Sequence, residues 1–247
     1  MKTQTGIKIG ISGCLIGEKV RYDGGHKRNS MIVDSLASVA TLIPICPEVE
    51  LGMGVPRPPL ALVNDMSGDV RMITRDGGNH DFTCRMEQFA VQICTGRLCG
   101  ISGYIFKARS PSCGVGDVPV HNVCGDVVLE NSFGLYARSI HQIMPNLPIT
   151  DEKRLATPAD IDHFVERAFV YRAWLKGQVQ TEKDLRNFHR QVRSHAAARC
   201  ETFATELDQL VDGTEIEDST ALVERYIAAL MGGLETPATQ AGYINNF

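Results

Sequence analysis

Ser110-Pro111-Ser112-Cys113-Gly114 follows an apolar run from Ile101 to Lys107 that carries Tyr104, Ile105 and Phe106. Two other cysteines stand in the same setting far upstream, Cys14 after Ile7-Lys8-Ile9-Gly10-Ile11 and Cys46 after Thr41-Leu42-Ile43-Pro44-Ile45. Short apolar runs bounded by Gly, Pro and Ser read as buried strands. In an open parallel α/β sheet, ligands bind outside the carboxyl ends of the strands, where neighbouring connections diverge. The three thiols are therefore expected at one mouth of such a sheet.

The chain has 247 residues, of which 43% are hydrophobic, enough for one full core and a smaller second unit. A net charge of −4 gives no general attraction to nucleic acid, so any such contact needs a local basic patch. Eight cysteines in a chain this long are too sparse for a disulfide scaffold of the small secreted kind. Ile11-Ser12-Gly13-Cys14 resembles the box before a lipid-modified cysteine, but Lys8 interrupts the short segment ahead of it, where a signal peptide needs roughly 7–15 apolar residues. No apolar run approaches the ~20 residues of a membrane span. The expected setting is cytoplasmic, with reduced thiols and no membrane partner.

After the first strand, Leu15 to Lys27 reads as a loop able to fold over Cys14, with its turn at Asp23-Gly24-Gly25. Asn29 or Ser30 caps a helix running through Val39. The second strand delivers Cys46-Pro47-Glu48, where the proline is expected to hold the backbone extended and keep Glu48 beside the thiol. Gly52 to Pro59 reads as irregular backbone, and Leu60–Val63 with Asp69–Thr74 as a hairpin. A helix is expected from Phe82 to Leu98 with Met86, Phe89, Val91, Ile93 and Cys94 inward, and Cys84, Cys94 and Cys99 as core residues. Cys124 falls in a polar stretch, Asn131–Met144 reads as a helix, and Leu147–Thr150 as a last strand in which Pro148 favours an edge.

From Asp151 the pattern turns helical, over Ala159–Leu175, Glu182–Leu210 and Ser219–Leu234. The expected architecture is thus α/β, a Rossmann-like, mostly parallel sheet flanked by helices over residues 1–150, with a smaller all-helical unit over 151–247. Between Arg167 and Arg199 eight Lys or Arg residues face only Glu182 and Asp184 among them, apart from the stripe's histidines His189 and His195. This stripe is either an RNA grip working through phosphates or a helix face neutralised by the acidic residues from Glu201 to Glu224.

Three thiolates without a Cys-x-x-Cys spacing do not suit a closed structural zinc site, whose ligands usually come in close pairs. Single ligands from Cys14, Cys46 and Cys113 suit a site with one position left open, either zinc with a bound water or a [4Fe–4S] cluster with one iron lacking a protein ligand. Thiolates favour the cluster without excluding zinc. Spacing alone leaves open whether Cys84, Cys94, Cys99 or Cys124 joins the site. Glu48, next to a candidate ligand, is placed to move protons.

Ile11-Ser12-Gly13-Cys14-Leu15-Ile16-Gly17, Val20-Arg21-Tyr22-Asp23-Gly24-Gly25, Cys46-Pro47-Glu48 and Ser110-Pro111-Ser112-Cys113-Gly114 together resemble the motifs of the thiouracil desulfidase family, formerly the domain of unknown function 523, across roughly residues 6–150. That resemblance implies a [4Fe–4S] cluster held by Cys14, Cys46 and Cys113, its fourth iron free to take the sulfur of a thiolated pyrimidine. It also implies Glu48 and Ser110 as catalytic residues. The expected reaction replaces the exocyclic sulfur of a thiolated uracil or uridine, free or in tRNA, by oxygen from water. The alternatives are a zinc hydrolase built on the same thiols and a non-enzymatic iron–sulfur module for RNA binding or redox sensing. Phe164 to Arg172, Phe188-His189 and Tyr226 to Met231 resemble a second domain often fused to this one, formerly the domain of unknown function 1722. In fused members that domain is associated with 4-thiouridine in tRNA, giving the stripe over 167–199 a role. The resemblance leads one to expect more helical sequence after Gly242-Tyr243-Ile244-Asn245, so the accessory unit reads as shortened.

Overall fold

Ile7–Ser12 forms β1, and its Ile7, Ile9 and Ile11 have 0% exposure, with a parallel strand on each edge. The computed structural model describes residues 6–78, 80–213 and 219–237. After β1 come α1 (Gly13–Ile16), α2 (Ser30–Leu36), β2 (Ala40–Ile45), α3 (Pro47–Glu50), β3 (Leu60–Asn64), β4 (Val70–Thr74), α4 (Thr83–Thr95) and β5 (Gly103–Phe106). There follow β6 (Val118–His121), β7 (Val127–Ser132), α5 (Leu135–Ile143) and β8 (Ile149–Asp151). Four helices complete the described chain: α6 (Pro158–Gly177), α7 (Glu182–Ala197), α8 (Glu201–Asp212) and α9 (Ser219–Gly233).

The first sheet has the order β2-β1-β5-β8 and is parallel throughout. Its outer position lets β2 accept Pro44, which has no N–H to give a second neighbour. The expectation of an edge strand near Pro148 is met by β8. Gly10 lies opposite Tyr104 in the register of β1 and β5, and a Cβ there would stand 2.4 Å from the Tyr104 ring. That absence of a side chain admits a buried aromatic cluster: Tyr104 stacks on Phe106 at 4.0 Å, and Tyr136 of α5 meets both rings edge-on.

A second sheet, β4-β3-β6-β7, joins two antiparallel hairpins through a parallel β3–β6 pair. The β3–β4 hairpin agrees with the sequence reading. The β6–β7 hairpin departs from it, because the sequence around Cys124 reads as merely polar and Asn131–Ser132 as the start of a helix. Residues 127–131 of β7 are all exposed, so no one-sided burial imprints an alternating pattern on the sequence.

Two further expectations are corrected. Cys84 and Cys99 are exposed, and Val91 is 54% exposed, whereas the buried residues of α4 are Thr83, Met86, Ala90, Ile93 and Cys94. The helical period carries that face through 83, 86, 90 and 93–94 and turns 84 and 91 outward. The span expected as one helix over Glu182–Leu210 is two, because Cys200 is extended at φ −162 between α7 and α8. The break lets α8 fold back on α7 and bury Ala204, Leu207 and Val211.

The chain divides into two compact units, one reaching Met144 and including Ile149–Pro158, the other made of Pro145–Pro148 and the chain from Ala159. The helical unit starts α7 with a capping box between Thr181 and Asp184. Among the described residues no helix is long and apolar enough to cross a membrane. Gly242-Tyr243-Ile244-Asn245 lies outside the described residues.

Candidate active site

Because β1, β2 and β5 are adjacent and parallel, their carboxyl ends share one rim. Cys14 is the second residue of α1, two residues past the end of β1; Cys46 immediately follows β2; Cys113 follows β5 through the Ser110 turn. At this rim the Ser12 hydroxyl accepts the Lys107 N–H at 2.9 Å and ties the end of β1 to that of β5. The loop after α1 folds back as expected, with Lys27 N–H donating to the Cys14 carbonyl at 2.9 Å. Pro47 acts differently from the expectation: Cys46 itself is extended, while Pro47 opens α3 from its first turn, where a missing N–H costs nothing. Glu48 is thereby carried on a helical turn directly after the thiol.

The turn bearing Cys113 is built by Ser110, whose hydroxyl oxygen accepts the N–H groups of Ser112 at 3.3 Å and Cys113 at 3.2 Å. The start of α5 packs onto the same turn: Leu135 N–H donates to the Pro111 carbonyl at 2.8 Å and Ala137 N–H to that of Ser112 at 3.0 Å. This approach requires Gly134, where a Cβ would stand 2.6 Å from the Ser112 carbonyl carbon.

Burial, with Cys46 nearby adding to it, pushes the Cys14 thiol up to about 11. Burial likewise raises Cys46. Burial also raises Cys113 well above the thiol range, with Glu48, Cys46 and Cys14 adding to the effect and a Ser12 hydrogen bond opposing it. The three thiols thus feel one another, and in the cofactor-free chain at neutral pH they are protonated. Cys94 is raised to about 11 by burial alone, with no contribution from these thiols. Cys84, Cys99 and Cys124 are exposed, and all eight cysteines are free. Among the described residues no three His, Cys, Asp or Glu side chains gather into a set that could hold a single metal ion.

Glu48 is gripped from two sides. Arg57 Nε donates to its Oε2 at 2.7 Å, and the Ser112 hydroxyl donates to its Oε1 at 2.7 Å. Glu48 and Ser110 both line a cavity of about 360 Å³, together with Tyr22, Arg21, Lys107 and Arg57; none of the three thiols is part of its wall. Sequence reasoning missed Arg57, which lay in a stretch read only as irregular backbone, and gave Ser112 no role. A buried arginine paired with a carboxylate nine residues away has no local signature.

The fold and the rim define an α/β enzyme whose polar groups gather where three parallel strands end, beside a cavity of small-molecule size. Residues 9–152 match the family described as 2-thiouracil desulfurase, and the chain belongs to that family, enzymes that act on thiolated pyrimidines. The chain is similar to the solved [4Fe-4S]-dependent thiouracil desulfidase TudS, with 29% identity and a TM-score of 0.46 over 60% of this chain and 93% of that one. No curated protein matches. The helical unit from Ala159 lies outside the family match.

Proposed function

We propose that this chain is a [4Fe–4S]-dependent desulfidase that replaces the exocyclic sulfur of a small thiolated uracil or uridine by oxygen from water. The observation that carries the reading is the convergence of Cys14, Cys46 and Cys113 at one sheet rim with the held carboxylate of Glu48. The donor set fits such a cluster, being three free thiols from separate strand ends with no fourth cysteine coupled to them. Cluster ligands each take a separate iron, which suits thiols that do not close on one ion better than zinc does.

Cys14, Cys46 and Cys113 would hold the cluster, giving up their protons on binding. When bound, a cluster with one iron open to substrate supplies Lewis acidity at the exocyclic sulfur. Glu48 orients a water in the cavity and takes its proton as the oxygen adds to the C=S carbon. Ser110 is placed to donate. Its oxygen already accepts two backbone N–H groups, so its proton is free, and those donors also steady negative charge on the oxygen. Sulfur leaves as hydrosulfide, with no net electron transfer.

A cavity of about 360 Å³ lies within the range that admits a pyrimidine or its nucleoside. The tRNA reading draws less support, since Arg167, Arg186, Arg193 and Arg199 are already ion-paired within the helical unit to Glu235, Asp212, Asp208 and Glu166. The free state of all eight cysteines supports a reducing, cytoplasmic setting.

The test is anaerobic reconstitution with assays for iron, zinc and labile sulfide, followed by hydrosulfide release from 2-thiouracil and from 4-thiouridine. Ala replacements of Cys14, Cys46 and Cys113 should each lose the cluster, while Cys94→Ala keeps it. Stoichiometric zinc without labile sulfide would instead make the chain a zinc enzyme.

A further inference from the structure

We propose that Arg57 and Ser112 are positioning residues that fix the Glu48 carboxylate in one orientation, each holding one of its oxygens, so that it presents a lone pair to water. This rests on the desulfidase reading above. An ionised carboxylate offers about four lone-pair sites. Arg57 donates to Oε2 through Nε at 2.7 Å, with a terminal nitrogen in ion-pair contact with the same oxygen at 2.5 Å, and Ser112 donates to Oε1 at 2.7 Å. Each carboxylate oxygen is therefore held by one donor, which fixes the plane of the group and leaves a lone pair on Oε1 for water.

Both holders are themselves fixed. The Arg57 side chain is 3% exposed, and its terminal nitrogens donate to the Gly54 carbonyl at 3.0 Å and the Val20 carbonyl at 2.9 Å. Its guanidinium also reaches the Cys46 sulfur at 3.9 Å, so one rigid group references the carboxylate to the thiol. Ser112 has 0% exposure and sits in the turn that carries Cys113. Glu48 is thus tied to the ends of β2 and β5 at once. A buried ion pair returns little net stability once desolvation is counted, so the gain here is orientation. Lysine could supply the charge but not the planar group that donates to the carboxylate from Nε while its terminal nitrogens hold two carbonyls.

The experiment uses the cluster-loaded chain with a thiolated uracil as substrate, and iron and labile sulfide are measured on every variant. Ser112→Ala should lower kcat by about tenfold or more, with KM within about twofold, because the interaction acts on the water rather than on substrate binding. Arg57→Lys should also lose kcat, and Arg57→Ala should lose about 100-fold and recover in part with added guanidinium. All three should keep the iron and sulfide of the parent. In the cofactor-free chain, Ser112→Ala and Glu48→Gln should be non-additive in unfolding free energy.

Parental kcat in Ser112→Ala or Arg57→Lys, additive effects in the cycle, or loss of the cluster in these variants would each overturn the proposal. A loaded parent that turns over beside indifferent variants overturns this inference alone. A loaded parent releasing no hydrosulfide overturns the desulfidase reading, and the inference with it.

Discussion

At the scale of single residues, Ser110 does two things that one substitution can separate. Its oxygen closes the turn before Cys113, and under the proposed function its proton serves the chemistry. Ser110→Ala should cost about 1 kcal/mol of stability, the usual value of a side-chain cap, and a larger factor in kcat. Ser110→Thr should restore the stability and part of the rate, measured by denaturant unfolding and by hydrosulfide release. Equal losses in stability and rate would make Ser110 a turn residue only. In the sequence the three thiols and Glu48 stand out because each follows a short apolar run, while Ser110 is singled out by the family resemblance alone. Arg57 is not legible there, because its meaning comes from contacts with Val20, Cys46 and Glu48 that exist only once the chain is folded.

Among the elements, the strand ends are placed by what their neighbours leave out. Gly10 gives Tyr104 its room, and both belong to central strands of the first sheet. Gly10→Ala forces a fully buried ring to move, so it should destabilise the chain by about 1–3 kcal/mol, the cost of overpacking. It should also weaken cluster retention, because β1 and β5 carry Cys14 and Cys113 at their ends; unfolding midpoints and iron content would show both. Unchanged stability would mean that the ring has a second resting place. The parallel sheet was legible because its buried strands are nearly all apolar. The β6–β7 hairpin was not, because exposed residues such as Val127, Val128 and Leu129 carry no burial pattern. The break at Cys200 was hidden too, since apolar spacing continues across it and only packing decides where the helix ends.

For the molecule as a whole, the helical unit carries a buried charge network that makes its stability depend on acid. Burial alone would raise the Glu166 carboxyl, but hydrogen bonds from His195 at 2.6 Å and Arg199 at 2.8 Å outweigh it and hold the group at about 2, below its ordinary 4.5. A carboxylate depressed in the folded state stabilises it fully above the ordinary value, and the benefit fades as pH falls toward the folded one. Between about 4.5 and about 2 the unfolded chain binds a proton that the folded chain refuses, so stability should climb with pH by up to about 1.4 kcal/mol per unit. Denaturant unfolding followed across that window should show this slope. Glu166→Gln should be less stable at neutral pH, because Arg199 is left buried without its partner, and should lack about one proton of the acid dependence. If parent and variant lose stability in parallel from pH 5 to pH 2, the network does not control the acid response, and other carboxylates do. The same pairing bears on the basic stripe: an arginine that is 2% exposed and bonded to both oxygens of Glu166 belongs to the core of its unit, and sequence charge alone could not distinguish it from one reaching for phosphate.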